Sequence, residues 1–237
     1  MVEVVIPWRG GCPHRERALE WVRGRLPYPV TVAEPPTGPW AKALAVMPAA
    51  SRCSGADVLV IHDADVWTPG LEEAVEQVER GAMWAIPHRG VHRLTEDSTR
   101  RLIAGESWEG LPLAERAYLG VEGGGVVAIH RDLLLRTPMD PRFEGWGSED
   151  EAWAVALRAC FGPPWRGKAP LAHLWHPPQS RLSRARGSRE SWNLRRRYMR
   201  AAREPREMKT LLEEARAALD AAQPNLHDQP PAAVRGD

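Results

Sequence analysis

The chain has 237 residues, which suits one domain of generous size or one domain with a trailing appendage. A hydrophobic fraction of 43% and a charged fraction of 27% are ordinary for a soluble globular protein, and a formal net charge of +1 gives no global electrostatic case for nucleic acid or membrane. Cys12, Cys53 and Cys160 are isolated and odd in number, which argues against a disulfide framework or a thiolate zinc site and fits a reducing cytoplasm.

The opening Met1–Ile6 stretch is too short and too acidic for a signal peptide, and no apolar run approaches the roughly 20 residues that span a bilayer. Val2–Pro7 is a β-branched run that reads as a strand, and Ala18, Leu19 and Val22 give Arg15–Arg25 helical spacing. Val30–Ala33 reads as a second strand, ended by Pro35-Pro36. Trp40–Cys53 reads as a helix through Ala43, Leu44 and Met47. Val58–Ile61 is a fully apolar strand followed abruptly by His62-Asp63. Leu71–Arg80 reads as a helix stopped by Gly81, and Met83–Ile86 as a strand stopped by Pro87. This alternation predicts an α/β fold with a mainly parallel sheet between helices. Ligands of such sheets bind outside the carboxyl ends of the strands, so the loops at Pro7–Pro13, Glu34–Pro39 and His62–Pro69 are expected on one edge.

The second half is less regular. A helix is expected around Thr99–Ala104, with no clear strand between Arg93 and Gly120. Gly123-Gly124-Gly125 precedes a strand, Val126–His130, and Arg131–Arg136 turns helical. Glu149–Cys160 reads as a helix with an acidic start, Ala169–Trp175 as a last strand, and Glu207–Ala222 as an amphipathic helix. The expected division is residues 1–180 as the main domain, 181–223 as an arginine-rich helical extension and 224–237 as a disordered tail. No internal repeat is visible.

Three motifs carry chemistry. In Val58-Leu59-Val60-Ile61-His62-Asp63-Ala64-Asp65, two carboxylates at the end of a buried strand concentrate negative charge at the ligand-binding edge. A hard divalent cation neutralises such a pair and can bridge the diphosphate of a nucleotide-sugar. Asp-x-Asp also occurs in plain loops with a capping aspartate, and the strand placement favours the metal. In Phe143-Glu144-Gly145-Trp146-Gly147-Ser148-Glu149-Asp150-Glu151, glycines free an indole for ring contact and three carboxylates fall on the first turn of a helix. One carboxylate suffices for a cap, and another there could take the proton of an acceptor hydroxyl. In His173-Leu174-Trp175-His176-Pro177-Pro178, one imidazole could complete a two-carboxylate metal site.

The order of strand-DxD, Gly-Gly-Gly-strand, Gly-Trp-Gly-x-Glu-Asp and histidine resembles GT-A glycosyltransferases with a galactosyltransferase-like C-terminal part, such as β-1,4-galactosyltransferases and polypeptide N-acetylgalactosaminyltransferases. The resemblance covers Val2 to Pro178. It implies manganese (or magnesium) on Asp63, Asp65 and His176, the last preferred over His173 because it aligns better. It also implies Gly124 and Gly125 beside the donor sugar, and Trp146, Glu149 and Asp150 beside the acceptor, with Asp150 in the place of the general base of inverting members. Pro7 and Arg9 keep the strand-then-proline start of the family's nucleotide pocket, Glu34 stands near its base or ribose position, and Lys42 falls at the helix start that lines the nucleotide. Ser148 departs from the family, which has glycine there. A UDP-sugar donor follows, with a hydroxyl acceptor that is a protein, a small molecule or modified nucleic acid, and no membrane partner.

Two other readings are open. A sugar nucleotidyltransferase would use Arg9-Gly10-Gly11 as its phosphate loop, but has no role for the Gly-Trp-Gly acidic segment. A catalytically inactive carbohydrate-binding protein would carry unused carboxylates beside a cleft, which is costly. The arginine-dense Arg181–Arg206 segment reads as a solvated helix face, with closure over a diphosphate or contact with an acidic acceptor as alternatives.

Overall fold

The computed structural model describes residues 1–145, 147–178 and 188–222. The first half follows the expected alternation: β1 (Val2–Pro7), α1 (Pro13–Arg23), β2 (Val30–Ala33), α2 (Lys42–Arg52), β3 (Val58–His62), β4 (Val66–Trp67) and α3 (Leu71–Glu79). The chain continues through β5 (Trp84–Arg93), α4 (Glu96–Ile103), β6 (Tyr118–Leu119), β7 (Val126–His130), α5 (Arg131–Arg136) and α6 (Glu149–Phe161). It ends with β8 (Trp165–His173), α7 (Arg189–Ala201) and α8 (Pro205–Ala222).

The strands form one sheet in the order β2-β1-β3-β7-β5-β8-β4, with β6 paired to β5. β1, β2, β3, β5 and β8 run one way, and β4, β6 and β7 run against them. The chain moves from β1 outward to β2 and then returns to the other side of β1 as β3, so a crevice opens at the carboxyl ends of these strands. Alternation along the strands sorts the core into two layers. Val4, Ile6, Val58 and Val60 pack with Leu19 and Val22 of α1 and Val75 and Val78 of α3. Val5, Leu59 and Ile61 pack on the opposite face with Val46 and Ala50 of α2 and Leu157 of α6. Trp8, Trp21, Trp84 and Trp153 are buried core residues.

Strands β5 and β8 differ from their expected extents, and β4 and β6 have no expected counterpart. β5 does not stop at Pro87 but runs on to Arg93, because its register against β8 shifts on both sides of His88 and the missing N–H of Pro87 falls at that irregularity. β8 begins at Trp165, four residues before the expected start, and ends at His173. β4 and β6, two residues each, are too short for a periodic signal.

The C-terminal helices join the core directly. Leu194, Tyr198 and Ala201 of α7 and Met208, Leu211 and Leu212 of α8 cluster with Phe143, Ala152 and Ala156. Arg142 donates to Asp140 and Glu214, Arg197 donates to Glu214, and the Tyr198 hydroxyl donates to Asp140 Oδ2 at 2.9 Å. The segment ahead of the acidic helix is thereby fixed to the C-terminal pair. The 224–237 tail and the Arg181–Arg186 part of the basic segment lie outside the described residues. Among the described residues, no helix is long and apolar enough to cross a membrane.

Candidate active site

A cleft of about 740 Å³ lies at the carboxyl edge of the sheet and draws its lining from both halves of the chain. Its first wall joins the loops after β1 and β2. Pro7 ends β1, and Arg9 donates to the carbonyl oxygens of Gly38 at 2.7 Å and Pro36 at 2.9 Å while lying over the Trp40 ring. Among the described residues, Arg9 thus brings a guanidinium without a carboxylate partner to the cleft. Glu34 takes no part in the wall: alternation buries Ala33 and turns Glu34 to solvent. The Arg9-Gly10-Gly11 loop is poorly suited as a phosphate cradle, because the Gly11 N–H already donates to Glu16 Oε1 at 3.1 Å.

The DxD motif splits in two. Asp63 accepts from Lys42 Nζ at 2.8 Å through Oδ1 and from the Gly125 N–H at 3.1 Å through Oδ2, while its own N–H donates to the Gly125 carbonyl at 2.8 Å. Asp65, buried, points the other way. Its Oδ2 accepts from Arg15 Nε at 3.0 Å and lies 3.4 Å from Nε2 of His176.

β4 explains how His173 and His176 reach Asp65. Directly after the DxD, Val66 and Trp67 pair with His173 and Ala172 of β8, and the Leu174 N–H donates to the Asp65 carbonyl at 2.8 Å. Leu174 is fully buried and the Trp175 N–H donates to Thr99 Oγ1, which anchors the stretch between the two imidazoles. Ligand atoms of Asp65, His173 and His176 all lie within 4.8 Å of one another. Atoms that share an ion at about 2.1–2.2 Å stand up to about 4.4 Å apart, so this group fits a cation with little rearrangement. Nδ1 of His173 donates to the Leu174 carbonyl at 3.0 Å and Nδ1 of His176 to the Pro177 carbonyl at 2.9 Å. With Nδ1 so engaged, Nε2 is the atom of each ring left to ligate an ion. Nε2 of His176 faces a carboxylate oxygen of Asp65, a pair of atoms that a cation between them could share. The group differs from the expected set by including His173 and by leaving out Asp63, whose two oxygens are engaged by Lys42 and Gly125.

The third wall is the glycine segment against the start of α6. A Cβ on Gly123 would overlap the carbonyl oxygen of Asp150, and one on Gly124 would stand 3.2 Å from its Oδ2, so side chains are excluded where the segment meets the helix. Gly125 has φ 77. Gly145, Gly147 and Ser148 also have positive φ, so Ser148 occupies a left-handed conformation that glycine adopts more readily. Trp146 lies outside the described residues.

Three carboxylates open α6. Glu149 is pushed up to about 8 by burial first and by the Asp150 charge second, against the pull of Lys42, and its buried Oε2 has no hydrogen-bond partner among the described residues. Asp150 accepts from Lys42 Nζ at 2.8 Å; burial raises its pKa and Lys42 opposes that rise. Glu151 turns away to pair with Arg195 of α7. His88, buried in the floor, has no partner for Nδ1 among the described residues, and burial followed by the Arg166 charge pushes it down to about 4, so it is neutral near pH 7. Arg15 and His88 carry no motif that sequence reasoning could use, whereas Arg195 belongs to the arginine-dense segment; each reaches the cleft through tertiary packing.

The chain is therefore a mixed α/β protein whose cleft holds a cation-ready carboxylate–imidazole group, a lysine-bridged carboxylate pair and a glycine wall. No protein family matches the sequence, and no curated protein matches it. Among solved structures, glucosyl-3-phosphoglycerate synthase from Mycobacterium tuberculosis with Mn2+, UDP-glucose and phosphoglyceric acid has a TM-score of 0.48 and 15% identity, over 87% of this chain and 79% of that one. The same synthase with Mg2+ and UDP gives 0.46 and 14%, over 76% and 72%. A mutant Drosophila β1,4-galactosyltransferase 7 with manganese, UDP-Gal and xylobiose gives 0.45 and 14%, over 77% and 76%.

Proposed function

We propose that the chain is a metal-dependent glycosyltransferase of the GT-A type, moving a sugar from a UDP-sugar onto a hydroxyl acceptor. The observation that carries this reading is that one cleft holds both a group that could hold a cation, Asp65 with His173 and His176, and the Asp150 carboxylate at the start of α6. A nucleotide-sugar needs the first at its diphosphate, and an attacking hydroxyl needs the second.

Asp65, His173 and His176 would hold the ion. Two nitrogen donors suit manganese better than magnesium, which prefers an oxygen shell. When bound, the ion would supply Lewis-acid stabilisation to the leaving diphosphate. Pro7, Arg9 and Trp40 form the wall assigned to the nucleotide, with the Arg9 charge available to phosphate or base. Gly124 and Gly125 leave room for the donor sugar.

Asp150 is the better base of the two expected carboxylates. Glu149, with a pKa of about 8, keeps its proton near neutral pH, whereas Asp150 has an ammonium beside it. In the transfer, the acceptor oxygen bonds the anomeric carbon as the bond from that carbon to the diphosphate oxygen breaks. The hydroxyl proton passes to Asp150 and UDP departs with the electron pair. This route inverts the anomeric configuration. Residues 1–180 form the catalytic unit in this reading, with 181–223 as its helical extension. The test is UDP release from a panel of UDP-sugars with and without manganese, with the product's anomeric configuration determined by NMR.

A further inference from the structure

Lys42 is one of three lysines in the chain and opens α2, a helix with no acidic residue in its first turn. A cation at a helix N-terminus opposes the macrodipole. Lys42 is also only 5% exposed, and a buried ammonium is costly unless it is paired and hydrogen-bonded. Its position is unfavourable locally, so its place in the fold must come from its partners.

Those partners are Asp63 Oδ1 and Asp150 Oδ1, each at 2.8 Å and lying 21 and 108 residues away in sequence. Two of the three ammonium donors are thus spent on carboxylates. Asp63 has independent support from the Gly125 N–H, whereas Lys42 is the sole hydrogen-bond partner of the Asp150 carboxylate among the described residues. Burial and the like charge of Asp63 would otherwise drive the Asp150 side chain out of its place.

Resting on the proposed glycosyl transfer with Asp150 as base, the structure assigns Lys42 the part of a positioning residue that clamps Asp150 to the end of β3. The clamp links the donor side of the cleft, at Asp63 and Gly125, to the acceptor side at α6.

The experiment uses the full chain with Lys42→Met, Asp150→Asn and the double variant. Turnover is read as UDP release, UDP affinity by calorimetry with manganese, and stability by thermal melting. Lys42→Met should lose turnover within the range of about 10²–10⁴-fold expected for loss of a general base. UDP affinity should change by less than about tenfold. The double variant should turn over no more slowly than the worse single one, because both changes act through one carboxylate. Lys42→Arg, which keeps the charge, should recover part of the turnover. Losses that multiply in the double variant, or a loss of UDP affinity beyond tenfold in Lys42→Met, would overturn the clamp. If Lys42→Met does not fold, Lys42→Gln is read in the same way.

Melting separates the clamp from the enzymatic reading. If the wild type releases no UDP from any donor, the proposed function falls. The clamp still predicts that Asp150→Asn restores part of the melting temperature lost in Lys42→Met, by removing a partly buried carboxylate left without its partner. Melting losses that simply add would overturn it.

Discussion

Nε2 of His176 lies 3.4 Å from Oδ2 of Asp65, and the two residues come from chain segments 111 positions apart that β4 and β8 bring together. Both imidazoles of this group have Nδ1 tied to the backbone, so His173 and His176 should each contribute to metal binding. His173→Ala and His176→Ala are each expected to weaken Mn2+ binding by about tenfold or more, measured by titration calorimetry or by the loss of free-ion EPR signal. Asp63→Asn should weaken it less than either. Unchanged manganese affinity in a histidine variant would remove that residue from the group.

Glu149 makes stability depend on pH. In the unfolded chain its carboxyl ionises near the ordinary value of 4.5, and in the folded chain at about 8. Between those values the folded state holds a proton that the unfolded state has released, so this contribution to stability is present below pH 4.5 and is lost as the pH rises through 8. Glu149→Gln stays neutral throughout. From pH 5 to pH 8 the variant should gain on the wild type by on the order of a few kcal/mol in denaturant unfolding of the metal-free protein. Parallel curves for the two proteins would show that Glu149 ionises normally.

The glycine wall should be intolerant of a single methyl group. Gly123→Ala places its Cβ on the carbonyl oxygen of Asp150, a backbone atom held by α6. A loss of about 1–3 kcal/mol is expected from such overpacking, and thermal melting checks it at roughly 2–4 °C per kcal/mol for a chain of this size. Gly10→Ala, where the nearest atom to a new Cβ is 3.9 Å away, is the comparison and should melt close to the wild type. Equal melting of the two variants would contradict the close approach.

Much of this arrangement was legible in the sequence. The apolar run of β3 ending in Asp63 and Asp65, and the three carboxylates opening α6, mark the cleft because each sits at an element boundary with a clear hydrophobic period. The remainder depends on long-range pairing. A two-residue β4 has no period, yet it delivers His173 to Asp65. Lys42 reads as a helix-start residue near the nucleotide, and only the tertiary approach of α6 reveals that it bridges two carboxylates. Glu34 fits a family position by spacing, but the outward phase of β2 at that residue turns it to solvent. Pro87 reads as a stop, although a shift in register carries β5 past it.

The central claim is that this cleft transfers sugar from a nucleotide donor with the help of a metal held at Asp65. The most direct measurement is UDP release from a panel of UDP-sugars, each tested with manganese, with chelator and with the Asp65→Ala chain. Release with manganese is expected for at least one donor, with its loss on chelation and its loss in an Asp65→Ala chain that still melts cooperatively. Release that persists under chelator and in Asp65→Ala would contradict it.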